Sequence, residues 1–387
     1  MKILIAPDSF KGTLTSLQAA ELISKPFIER NHSVVLLPVA DGGEGTVDAF
    51  IYSASAQKKV ITVKDPLLRD IEAYFGFKGN DAFIEIAQPS GITLLKENEL
   101  NPLIANTYGF GQMIMDACRS GYKNIYIGLG GSATNDAGIG MLSALGMKFF
   151  DKDEKSLPEF LSASDLDNIC TFDDSQLKKN ISGAVFTVLC DVKNYLTGPD
   201  GASFVYSFQK GADHDMAKKL DASIKRFAEV LREKTGKEPD FPGAGAAGGT
   251  ASVLKVFFDA EIIPGIEGII KILNLEQKIQ NCDVVIVGEG SLDNQSVFGK
   301  APVGIAKLAK KYNKPVIAIC GKIGKNTDEI FNHGIDVVYA SYGDVKIDMN
   351  VIKKNTVLNI TKVSTLAAEE ISKLSIIKNR IIILNET

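Results

Sequence analysis

The sequence predicts an α/β fold built on parallel sheets, and three observations carry that prediction. Short, wholly apolar runs recur along the chain and are followed by helical rather than alternating patterning. Strand and helix signals alternate at both ends of the chain, the order that places helices over a parallel sheet. The apolar runs also lead into loops that mix glycine with acids or hydroxyls, as strand-to-helix turns do. With 387 residues the chain is longer than one ordinary core, so two or three domains are expected.

The elements follow in order. Residues 2–6 form an apolar strand ended by Pro7, and Thr15 or Ser16 caps a helix whose apolar positions are Leu17, Ala20, Ile23 and Phe27. Val34-Val35-Leu36-Leu37 reads as a buried strand broken at Pro38. After Asp41-Gly42-Gly43-Glu44-Gly45 a short helix is expected, and 60–63 supplies a third strand, completing a β-α-β-α-β order. Residues 73–77 and 82–86 flank Lys78-Gly79-Asn80-Asp81 and read as a hairpin. Strands are expected at 125–127 and 185–189. Residues 213–233 make an amphipathic helix with Lys218, Lys219 and Lys225 on its solvated face. The end of the chain repeats the opening: strand 284–287, Gly288-Glu289-Gly290, helix 302–311, strand 316–319, helix 327–331 and strand 335–339. Boundaries fall near Asp65-Pro66 and near Asn281, and local patterning is compatible with the two ends forming one domain or two.

Composition excludes several function classes. The net charge of −4 is spread evenly with no basic block, which argues against a nucleic-acid partner. No apolar run approaches the ~20 residues of a membrane span. The apolar start ends at Pro7-Asp8, too short for a secretory signal, so a cytoplasmic protein without a membrane partner is expected. The five cysteines (Cys118, Cys170, Cys190, Cys282 and Cys320) are widely spaced without a C-x-x-C, and a zinc site or disulfide framework is not expected. No Ser/His/Asp order surrounds His32, His214 or His333, which disfavours nucleophilic hydrolysis.

The chemistry-bearing signal lies in glycine loops. Twelve of the 35 glycines fall in four of them: Asp41 to Thr46, Gly128 to Asp136, Gly243 to Gly249 and Gly288 to Asp293. Backbone N–H groups at a helix start bind anions, and glycine lets a phosphate approach. Gly243-x-Gly245-x-x-Gly248 matches a dinucleotide fingerprint, but Glu238-Pro239-Asp240-Phe241-Pro242 before it is no strand. Gly128-x-Gly130-x-x-Ala133 follows a strand yet lacks the acid ~20 residues on. The reading that fits all four loops is a phosphate-bearing nucleotide with Mg²⁺. Asp8, Asp191 and Asp293 stand at strand ends, and Lys11, Lys210 and Lys300 add cations beside glycines. Phosphoryl transfer needs such a set: cations at the γ-phosphate, carboxylates for the metal, and one acid for the attacking hydroxyl.

These residues resemble a known family. Ile5-Ala6-Pro7-Asp8-Ser9-Phe10-Lys11-Gly12 resembles the opening of the type 1 glycerate kinases. Further blocks agree in order: Ala40 to Thr46, Asn101-Pro102-Leu103 with Thr107-Tyr108-Gly109, Gly128 to Asp136, Gln209-Lys210-Gly211-Ala212, Pro242 to Gly249, and Gly288-Glu289-Gly290 with Asp293, Gln295 and Gly299-Lys300-Ala301-Pro302. The resemblance implies ATP-dependent phosphorylation of D-glycerate, with 2-phosphoglycerate favoured over 3-phosphoglycerate. It also implies a doubly wound, Rossmann-like parallel-sheet domain from residues 1–65 plus 281–387. A second α/β domain, 66–280, would be inserted into it, with the active site in the cleft between them. Either a monomer or a homodimer is expected. Gly128 to Ala133 taken alone also resembles the phosphate loop of the galactokinase and homoserine kinase superfamily, and a two-domain α/β clamp also describes solute-binding proteins.

The chain departs from the family pattern in three places. Ser291 stands where an arginine is expected, Ser296 where a threonine is expected, and Ile86-Ala87-Gln88-Pro89-Ser90-Gly91 where Met-Ala-x-Ala-Ser-Gly is expected. Losing that arginine removes a planar five-donor fork that serine cannot replace.

The expected site assigns three roles. Asp191 or Asp293 would position the accepting hydroxyl, with Lys11 as the third catalytic candidate. Asp8, Ser9, Gly130, Gly131, Ser132, Asn135, Asp136, Lys210 and Lys300 would bind phosphate or substrate. Asp41, Glu44 and Glu289 would hold Mg²⁺.

Overall fold

In the computed structural model, which describes residues 1–40, 42–292, 301–324, 329–373 and 379–385, the strands run in chain order as β1 (Lys2–Pro7), β2 (Ser33–Leu36), β3 (Gln57–Lys64), β4 (Asp70–Lys78), β5 (Asp81–Glu85), β6 (Asn124–Gly128), β7 (Lys148–Phe150), β8 (Thr171–Asp173), β9 (Val185–Leu189), β10 (Glu261–Ile263), β11 (Val284–Leu292), β12 (Val316–Ile323), β13 (Val337–Tyr342) and β14 (Arg380–Asn385). Two compact units hold them. The first comprises Met1–Asp41, Asp48–Ala56 and Pro264–Thr387, and the second Gly42–Val47 and Gln57–Ile263.

The first unit is a parallel sheet in the order β14-β13-β12-β11-β1-β2. Its central strands are buried along almost their whole length, as strands covered by helices on both faces must be. Helix Ser16–Glu29 returns the chain from β1 to β2. A capping box starts it: Thr15 Oγ1 accepts from Gln18 N (3.2 Å) and Gln18 Oε1 accepts from Thr15 N (2.9 Å). From β1 the chain moves outward to β2 on one side, while β11 to β14 build outward on the other. The switch point therefore lies between β1 and β11, where ligands usually bind in open α/β sheets.

In the second unit the sheet order is β10-β9-β6-β5-β4-β3. β5, β6, β9 and β10 pair in parallel, β7 and β8 form a separate antiparallel pair, and the expected hairpin is present as antiparallel β4 and β5, with Gly76 opposite Phe83. Helix His214–Thr235, capped by Asp213, buries Ala217, Leu220, Ile224, Phe227 and Leu231, and leaves Lys218, Lys219 and Lys225 exposed. Helices Gly265–Ile272 and Leu275–Gln280 follow β10 and belong to the first unit.

One strand is corrected. The run at 60–63 does not extend the first parallel sheet, because β3 pairs antiparallel with β4 in the second unit. The cause is local. The Asp65 carboxylate is 1% exposed and accepts from Leu67 N (2.8 Å), Arg69 N (2.9 Å) and Arg69 Nε (2.5 Å). This closes a tight turn that returns the chain onto β3, so Asp65-Pro66 is a hairpin turn. The chain passes between units at Asp41/Gly42, Val47/Asp48, Ala56/Gln57 and Ile263/Pro264, the last two ahead of the expected 65 and 281.

Two elements near the end had no counterpart in the sequence reading: helix Met349–Glu370, capped by Asp348, and edge strand β14. All five cysteines are unpaired thiols. No described helix is long and apolar enough to cross a membrane.

Candidate active site

At the switch point the carboxyl ends of β1, β11, β12 and β13 border a cavity of about 260 Å³. Asp8, Ser9 and Lys11 line it from the end of β1, and Glu289 and Ser291 from β11. Asp8 is 6% exposed. Its backbone N–H donates to Gly288 O (2.8 Å), tying the two strands together, and its Oδ1 accepts from Ser9 N (2.6 Å). Glu289 is equally buried, whereas Lys11 is exposed. Lys322 also lines the cavity. It stands directly opposite Ser291 in the β11–β12 register and lies 3.5 Å from Asp344. A cation is thus present beside the position where the resemblance expects arginine.

The remaining described candidates collect in the second unit, where three of the glycine loops pack backbone to backbone. Gly130 N donates to Gly42 O (2.9 Å), and a Cβ at 130 would lie 2.5 Å from Gly43 Cα. Gly248 has φ +65°, and a Cβ there would meet Thr134 O at 2.2 Å. These glycines are required by loop-to-loop contact, a different reason from the phosphate approach expected for them.

Inside this assembly Lys210 is 2% exposed and donates to Thr134 O (2.7 Å) and Ser132 Oγ (3.1 Å). Asn135 donates to Ser203 Oγ (3.1 Å), and its Oδ1 is buried without a partner among the described residues, as is Ser90 Oγ. Asp136 is fully buried and accepts from Thr107 Oγ1 (2.7 Å), Thr107 N (2.9 Å), Gly138 N (3.1 Å) and Gly140 N (3.3 Å). Burial pushes its pKa above the ordinary aspartate value, and these hydrogen bonds pull against the shift. Its carboxylate therefore holds the frame of the loop. Glu85 does similar work nearby, accepting from Val47 N (3.0 Å) at the start of helix Thr46–Ser53.

Burial lowers the Lys210 pKa from 10.5 to about 7, against a smaller opposing pull from Asp136. Between those values the unfolded chain carries a proton here that the native chain lacks, so stability rises with pH across that window and is lower below it. Lys210→Met abolishes this slope. The stability difference between wild type and variant should therefore change between about pH 6 and about pH 9 in urea titrations. A constant difference contradicts the assignment.

The structure brings Asp8, Ser9, Lys11 and Glu289 onto one cavity. Separately, it brings Gly130, Gly131, Ser132, Asn135, Asp136 and Lys210 into one loop assembly. Glu44 is exposed in the second unit, near Gly131, and Asp191 is exposed just beyond the end of β9. Asp41, Asp293 and Lys300 lie outside the described residues. Sequence reading missed Lys322, and it missed the cavity wall formed by Met349, Ile352, Thr356, Asn359 and Ile360. Two of those five residues are polar, so their helical spacing gave no apolar period to read.

The Glycerate kinase family model matches residues 3–372. The chain is 42% identical over 343 residues to a glycerate kinase of Halalkalibacterium halodurans, covering 87% of this chain and 90% of that one. It is 42% identical over 345 residues to the glycerate 2-kinase of Escherichia coli, covering 88% and 90%. Its fold is similar to a crystal structure assigned as glycerate kinase 2 from Salmonella typhimurium LT2, with a TM-score of 0.83 at 36% identity, covering 96% and 98% of the two chains. A parallel sheet with acids and lysines at its switch point, joined to these matches over nearly the whole length, means that this chain belongs to the glycerate kinase family.

Proposed function

We propose that the chain transfers the γ-phosphate of ATP to the 2-hydroxyl of D-glycerate, giving 2-phosphoglycerate and ADP. The observation that carries this reading is the switch-point cavity, where two buried carboxylates and two lysines from three neighbouring strands, β1, β11 and β12, share one lining. Phosphoryl transfer asks the protein for little covalent chemistry and much positioning and charge compensation.

Among the described residues no three acids, histidines or cysteines gather into a ready-made metal cage. Mg²⁺ does not need one, since it is commonly held by one or two carboxylates together with substrate phosphates. Asp8 and Glu289, with the Ser9 hydroxyl, are an oxygen donor set of that kind on one cavity and fit the ion. When bound, it would neutralise charge on the phosphates. Asp8 thereby takes the place given in the sequence reading to Asp41 and Glu44.

Lys11 and Lys322 compensate the charge spread over the transferring phosphoryl oxygens. Asp191, or Asp293 outside the described residues, orients the accepting hydroxyl and takes its proton as the new P–O bond forms and the bond to ADP breaks. Ser132, Asn135 and Lys210 offer a hydroxyl, an amide and an amine for the glycerate carboxylate, whose negative charge would favour the protonated form of Lys210.

The purified chain supplied with ATP, Mg²⁺ and D-glycerate should form ADP only when glycerate is present. Phosphorus NMR of the product should show the doublet of phosphate coupled to a single carbon-bound proton, as at the 2-position. A triplet would move the reaction to the 3-hydroxyl. Turnover equal to the ATP-only control would overturn the substrate assignment.

A further inference from the structure

The acids and lysines account for only part of the switch-point cavity. Its other wall is one stripe of helix Met349–Glu370, from Met349 through Ile352 to Asn359 and Ile360, met by Tyr342 at the end of β13. Met349 is 50% exposed and Ile352 and Tyr342 are half-buried, so apolar and aromatic surface is left open inside a concavity rather than closed into the core. Such a wall suits a flat apolar body and offers nothing to glycerate, which is polar along its whole length. The volume of about 260 Å³ falls below the ~300–1,000 Å³ usual for a whole drug-sized ligand, so it suits one portion of a nucleotide.

One polar side chain on that wall is built in. Asn359 is 6% exposed, and its Nδ2 donates to Tyr342 OH (2.8 Å). That bond fixes the amide and uses one of its two N–H groups. Oδ1 and the second N–H keep the acceptor–donor pair that a 6-aminopurine matches with its amino group and adjacent ring nitrogen. Along its N7 edge a 6-oxopurine presents two acceptors, O6 and N7, and would set its oxygen against Oδ1.

We infer that the side of this cavity walled by helix Met349–Glu370 seats the adenine ring of ATP, the phosphates leading toward Asp8 and Glu289, with Asn359 as the residue that selects adenine over guanine and with Tyr342, Met349 and Ile352 packing against the ring. The inference rests on the phosphotransferase reading for its choice of ligand. Its test does not need glycerate turnover.

ADP binding to the full chain is measured by titration calorimetry for wild type, Asn359→Leu and Ile352→Phe, with melting curves to establish that each variant is folded. Asn359→Leu removes the hydrogen-bonding pair at nearly constant volume, and Ile352→Phe fills the cavity without touching a hydrogen bond. Each folded variant should bind ADP at least about tenfold more weakly, Asn359→Leu by the loss of one bidentate base contact and Ile352→Phe by occupying the space of the ring. In turnover assays the KM for ATP should rise by a similar factor, with kcat and the KM for D-glycerate within about twofold of wild type. Wild type should use ATP at least about tenfold more efficiently than GTP, and Asn359→Leu should erase most of that preference. A chain that binds ADP through Asn359 but turns over no glycerate keeps the adenine site and loses the glycerate assignment. Unchanged ADP affinity in either folded variant overturns the adenine site.

Discussion

Asp136→Ala should destabilise the second unit by about 3–5 kcal/mol. The carboxylate is fully buried and accepts four hydrogen bonds, three of them from the backbone N–H groups of Thr107, Gly138 and Gly140. Alanine leaves those donors without an acceptor in a site closed to water, and each orphaned donor costs about 1–3 kcal/mol before relaxation. Asp136→Asn keeps the volume and one acceptor oxygen, so its loss should be smaller, about 1–2 kcal/mol. Because the chain has two units, one global unfolding energy is a poor measure. Amide exchange along β6 and the helix Tyr108–Arg119 reports on the affected unit directly. Protection reduced by less than about 1 kcal/mol in Asp136→Ala would show that the loop frame does not depend on this carboxylate.

A second large effect is expected on catalysis. Asp8→Asn should lower kcat/KM for D-glycerate by about two to four orders of magnitude while changing stability by less than about 1 kcal/mol. Asparagine preserves the shape of the side chain and an oxygen able to accept from Ser9 N, the 2.6 Å contact that turns the chain out of β1. It removes the negative charge proposed to hold Mg²⁺ together with Glu289. The Mg²⁺ concentration giving half-maximal rate should therefore rise in the variant, a change that a purely structural role would not produce. A kcat/KM within about tenfold of wild type, or an unchanged Mg²⁺ requirement, would remove Asp8 from the proposed site.

What could be read from the sequence was what local rules encode. The apolar run of β1, the Thr15–Gln18 capping box and the regular stripe of helix His214–Thr235 each declare themselves within a few residues. The acids at strand ends were legible for the same reason, and Asp8 and Glu289 do meet on one cavity. Helix Met349–Glu370 was not legible because its pattern is inverted in part. Thr356 and Asn359 face inward, whereas Val357 and Leu358 are 55% and 54% exposed, which blurs the 3.6-residue period. Yet this helix supplies the cavity wall on which the adenine proposal rests.

Other decisions belong to the tertiary structure alone. That β1 pairs with β11, bringing Ile3 opposite Val284, is a long-range choice among many apolar strands, and it is this pairing that sets Asp8 beside Glu289. The register of β11 on β12 likewise puts Lys322 opposite Ser291, a relation invisible along the chain. Gly130 and Gly248 looked like phosphate glycines, but their close neighbours are other loops, Gly43 and Thr134. Asp136, expected among the substrate ligands, accepts hydrogen bonds that hold its own loop and Thr107 together. Residue type and spacing determined which groups could do chemistry, since periodicity and capping are short-range. Which of them meet, and which are taken up in holding the fold, was decided by strand pairing and burial between distant segments.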